Sequence, residues 1–103
     1  MNQPTSNPSL PSRTELLLSR ARRAQQRGER RQALVALREA ALLAETDARV
    51  WALYGSLCAK ANRLDEAERA FGQALYLRQR QHDLPRANSL RNVIRRHGFG
   101  RAA

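Results

Sequence analysis

Aromatic side chains make up only 5% of the 103 residues: one Trp, two Tyr and two Phe. Ala and Leu must therefore supply most of the packing, which suits closely apposed helices better than a sheet. Cysteine is scarcer still. Cys58 stands alone, so it makes no internal disulfide and requires no oxidising compartment. No stretch approaches the roughly eighteen consecutive apolar residues of a membrane span. The N-terminus lacks the basic region and apolar run of a signal peptide. Neither is expected, and the expected location is cytoplasmic. The two histidines, His82 and His97, have no Cys or carboxylate at ligand spacing and read as solvated residues near helix ends. There is no Gly-rich phosphate loop, and Asp65-Glu66 with Glu68 reads as an acidic first helical turn rather than an acid/base pair. The expectation is a protein that is not an enzyme and uses no cofactor or metal.

What the chain has in excess is positive charge, +10 in all, and its distribution is uneven. Arg13 to Arg38 carries eight Arg against Glu15 and Glu29, a net +6, and Arg78 to the end carries seven Arg against Asp83, again +6. Glu39 to Leu77 is −2. Basic ends flank a centre that is not basic. Such a field attracts acidic proteins, nucleic acid or anionic lipid heads. Every basic residue except Lys60 is Arg, as a GC-rich coding sequence also produces, so the Arg excess by itself does not specify phosphate.

The most ordered pattern lies between Ala48 and Gln81. Trp51 and Gly55 are four residues apart, and Ala67, Phe71 and Ala74 follow at steps of four and three, each one helical turn. Between them, Ala61-Asn62-Arg63-Leu64-Asp65 offers an Asn able to end one helix in the left-handed conformation and an Asp able to cap the next. Two helices should face each other here, with Gly55 and Ala67 keeping the bulk low where they cross. This stretch resembles the tetratricopeptide repeat, a 34-residue helix-turn-helix with a Trp-x2-Leu-Gly-x2-Tyr, Ala-x3-Phe and late Pro signature. The corresponding residues are Trp51, Tyr54, Gly55, Cys58, Ala67, Phe71, Ala74 and Gln79. Tyr54, Cys58 and Gln79 depart from the family's Leu, Tyr and Pro.

A shift of 34 residues toward the N-terminus finds a weaker copy. Leu17, Ala21, Ala24, Ala33, Leu37 and Ala40 stand where Trp51, Gly55, Cys58, Ala67, Phe71 and Ala74 stood, and Gly28 replaces Asn62 at the turn. Upstream, residues 1–12 hold three of the four prolines and read as a disordered leader ending in a Ser12-to-Glu15 capping box. Downstream, Asp83 and Pro85 open a further helix whose apolar stripe is Leu84, Ala87, Leu90, Val93 and Ile94, closed by Gly98. The expectation is one all-α domain over residues 13–98. It comprises a solenoid of two repeats (14–47 and 48–81), a capping helix (84–97) and a tail (99–103). The five helices are expected at 13–27, 30–45, 48–61, 65–81 and 84–97. The expected core is Leu17, Ala21, Leu37, Trp51, Gly55, Ala67, Phe71 and Ala74.

The resemblance also implies where a partner would sit, since the first helix of each such repeat lines a concave face. Transferred to this chain, the contact places are Leu18, Arg22, Gln25 and Gln26, then Arg49 at the groove mouth with Ala52, Ser56, Ala59 and Lys60. Asn88, Asn92, Arg95 and Arg96 join them if the last helix keeps the same phase. Leu18 and Ser56 stand where the family's clamp for a C-terminal carboxylate places a cation and an amide, so that role is not implied. The implied function is a protein-interaction module, an adaptor or scaffold that takes an acidic peptide or helix of another protein. Two alternatives use other surfaces: nucleic-acid binding through the Arg-rich ends, and a homodimer or larger assembly through the exposed strip Val35, Leu42 and Tyr76.

Overall fold

The computed structural model describes residues 10–99, and the leader residues 1–9 and tail residues 100–103 lie outside the described part. Five helices follow in order: α1 (Arg13–Gln26), α2 (Arg30–Leu43), α3 (Ala48–Lys60), α4 (Leu64–Arg80) and α5 (Leu84–Arg96). No strand occurs among the described residues. Each helix packs chiefly on its neighbours in sequence, most extensively α1 on α2 and α3 on α4.

Local chemistry explains the boundaries. Ser12 Oγ accepts from the Glu15 amide at 3.1 Å and caps α1. The Glu15 carboxylate does not close the expected box; it lies 3.5 Å from the Arg49 guanidinium. Three of the four interhelix turns share one construction. Gly28, Asn62 and His82 adopt positive φ (74°, 60° and 57°), and the next amide in each case returns to a carbonyl five residues back, Glu29 to Ala24, Arg63 to Cys58 and Asp83 to Arg78, at 2.8, 2.8 and 2.9 Å. This left-handed ending satisfies carbonyls that the last helical turn leaves open. The α2–α3 turn is different, and there Asp47 caps α3 by accepting from the Arg49 amide at 3.0 Å. Asp65, expected as a cap, falls inside the first turn of α4, whose N-cap is Arg63 without a side-chain capping bond. Asp83 does cap α5, accepting from the Arg86 amide at 3.3 Å. The bonds from Arg86 hold the Asp83 carboxyl below the ordinary carboxylate range.

Leu17, Ala21, Ala24, Ala33, Leu37 and Ala40 are all buried, as are Cys58, Ala67, Phe71 and Ala74 at the equivalent places of the second pair. Gly55 is buried too, and its missing side chain is a steric requirement. A Cβ there would meet the Phe71 ring at 3.0 Å, closer than carbon atoms normally approach. Trp51 departs from the expected core, being only half-buried, with its indole N–H donating to the Glu45 carbonyl at 2.9 Å. The anchored indole covers the α2–α3 turn rather than filling the centre. Phe99, assigned by sequence to the tail, packs against the core. It stacks on His97 at 5.3 Å, and His97 on Phe71 at 5.9 Å between ring centroids. His97 thus stacks on both rings while remaining exposed, at the end of α5. Among the described residues no helix is long and apolar enough to cross a membrane.

Candidate functional site

Between α1 and α3 runs a shallow groove of about 230 Å³. Because side chains three and four apart share a helix face, α1 contributes Glu15, Leu18, Arg22 and Gln25, and α3 contributes Arg49, Leu53, Ser56, Leu57 and Lys60. The groove thus gathers Leu18, Arg22, Gln25, Arg49, Ser56 and Lys60 from the sequence-derived contact set. Three cations meet one carboxylate. Arg49 shares its charge with Glu15 at 3.5 Å and Asp47 at 3.6 Å, whereas no ion pair among the described residues involves Arg22 or Lys60. An unpaired cation on a low-dielectric wall projects more field than a paired one. The apolar lining is made of buried Leu18, Ala21, Leu37 and Leu57 and of exposed Leu53.

The other transferred positions fall elsewhere. Leu18, expected as an exposed apolar contact, is only 7% exposed and belongs to the core, so only its edge reaches the groove. Gln26 is exposed, and Ala52 and Ala59 are half-buried; none lines the groove. Asn88, Asn92, Arg95 and Arg96 are exposed on α5 and are absent from the groove lining. The assumed common phase fails at the start of α5. Leu84 would stand where Ala48 is 2% exposed, yet Leu84 is 61% exposed. The turn differs from the one that precedes α3: His82 repeats the left-handed construction used at Gly28 and Asn62, inside each helix pair, in place of the α2–α3 type of turn.

Sequence reasoning did not find a second, larger hollow. It measures about 680 Å³ and is bordered by Arg38, Glu45, Thr46, Trp51, Tyr54, Glu66, Arg69, Gln73 and Tyr76, drawn from α2, the α2–α3 turn, α3 and α4. The chain's only Trp and both of its Tyr line it. Its one legible signal was that these three residues occupy a 26-residue stretch; their convergence from separate helices was not. Tyr54 donates to the Glu66 carboxylate at 3.0 Å. That bond holds the Glu66 carboxyl below its ordinary range, while burial first, and Glu66 second, push the Tyr54 phenol upward. Cys58 is fully buried nearby, and burial raises its thiol, keeping it protonated. The strip expected from sequence is exposed at Val35, Leu42 and Tyr76; Tyr76 borders the large hollow, and Val35 borders a separate one between α1 and α2. Among the described residues no three His, Cys, Asp or Glu side chains assemble as a metal site would require. No family model matches the chain, and no curated protein or solved structure matches it either.

Proposed function

We propose that this protein is a non-enzymatic interaction module of the tetratricopeptide type, which holds an acidic peptide or helix of a partner protein in the groove between α1 and α3. The observation that carries the reading is the meeting of Arg22, Arg49 and Lys60 in one groove with Leu18, Leu53 and Leu57. A carboxylate-bearing segment is attracted by the cations and held by apolar contact, so charge sets encounter rate and register while the apolar lining supplies burial. The 34-residue correspondence supports a repeat origin for the two helix pairs, and Glu15 and Arg49, equivalent positions in that frame, bridge them.

The test reverses Arg22 and Lys60 together. Both are exposed, so R22E/K60E should change stability by under about 0.5 kcal/mol per site. Acidic-peptide affinity should fall at least tenfold, with the slope of affinity against salt reversed or abolished. A fully folded double variant with undiminished acidic-peptide binding would remove the groove from the mechanism.

A further inference from the structure

The last helix carries a second, separate electrostatic surface. From Leu84 to Arg96 there are four arginines, Arg86, Arg91, Arg95 and Arg96, and no Asp or Glu. Ala87 and Leu90 are buried and Val93 and Ile94 half-buried, with α4 as the principal neighbour of α5, so the arginines and both asparagines remain exposed. Asp83 engages Arg86 at 3.0 Å, but the other three meet no carboxylate among the described residues. Arg91 donates to Asn88 at 2.7 Å and Arg95 donates to Asn92, a pairing repeated one helical turn on. It lays two guanidinium groups along the helix without neutralising either.

We propose that α5 is a duplex-DNA contact element, lying in the major groove with Arg91, Arg95 and Arg96 on backbone phosphates. Its 13 residues span about 20 Å at 1.5 Å per residue, and the major groove of B-form DNA, about 12 Å wide, admits a helix of this kind. The deep, narrow major groove of duplex RNA does not. Single strands are gripped by aromatic platforms, and α5 has no Phe, Tyr or Trp. Insertion of a helix into an anionic membrane surface requires an apolar face turned outward, and the α5 apolar residues other than Leu84 turn inward. The surface is independent of the α1–α3 groove.

The experiment is a fluorescence-anisotropy titration of the whole protein with a short mixed-sequence DNA duplex across a range of salt. It is run on wild type, R91A/R95A/R96A and a charge-matched control, R20A/R23A/R31A, from the opposite end. Three phosphate contacts contribute about 2.7 to the log–log salt slope, or roughly a 40-fold loss of affinity between about 50 and 200 mM salt. The α5 variant should lose that share of the slope and bind the duplex at least tenfold more weakly at low salt, while the control stays within about threefold of wild type. Melting curves confirm that both remain folded. If α5 were instead an unspecialised part of a basic surface, the two variants would weaken equally. That result, absent duplex binding, or equal or tighter binding of duplex RNA, a single strand or an acidic peptide to α5 overturns the proposal.

Discussion

The two helix pairs solve the same packing problem with different materials. In the α3–α4 pair a glycine faces a phenylalanine, Gly55 against Phe71; at the equivalent places of α1–α2 an alanine and a leucine, Ala21 and Leu37, are both buried. The smaller residue is reduced by one carbon where the larger is aromatic, as close packing at fixed helix separation demands. A second difference lies one residue earlier. Tyr54 is buried and donates to Glu66 at 3.0 Å, whereas Arg20 and Gln32, in the equivalent positions, border an open hollow on the outer side of the first pair. The second pair concentrates the chain's aromatic packing, and the first presents charge.

The largest expected effect separates the pairs by size of core residue. Phe71→Ala should cost about 3–5 kcal/mol and Leu37→Ala, which removes fewer buried carbons, a smaller amount within about 2–5, both by leaving a cavity. Chemical denaturation gives both values, and equal costs would break the contrast. Next, Gly55→Leu should cost about 1–3 kcal/mol by overpacking against the Phe71 ring. The sharper form is G55A/F71L, which installs the first pair's combination in the second. It should be more stable than the sum of its single changes predicts, because the added methyl then faces a smaller neighbour. Additivity would show that the two sites do not share a packing constraint.

Tyr54→Phe should cost about 1 kcal/mol through the lost bond to Glu66 and should also alter the acid limb of the stability curve. Glu66 has a folded-state pKa below its ordinary value of 4.5. Its contribution is therefore fully present above that value and is lost as the pH falls through the depressed folded value. Urea midpoints measured down this limb should decline less steeply in the Phe variant. An unchanged decline would mean that Tyr54 does not hold the Glu66 charge.

Helical periodicity made the five helices and most of the buried face legible, since steps of three and four report direction from the axis. It does not report depth. Leu17 and Leu18 point in adjacent directions and both are buried, while Trp51, on the inward stripe, is only half-buried because its indole is tied to the Glu45 carbonyl. Phe99 was missed because it follows the helix-ending Gly98 and meets Phe71 both directly, at 6.1 Å between ring centroids, and through His97, outside any periodic frame. The groove residues on α1 and α3 were legible because each set lies on one helix. The phase of α5 was not, because the left-handed residue at its entrance is a histidine, His82, rather than Gly or Asn.

The central claim is that the α1–α3 groove binds acidic segments through Arg22 and Lys60, and selection of peptides from a random display library tests it most directly. Wild type should enrich sequences rich in Asp and Glu around a bulky apolar residue, and R22E/K60E, with a melting curve that matches wild type, should not retain them. Enrichment of neutral or basic sequences, or acidic sequences retained equally by the folded double variant, would contradict it.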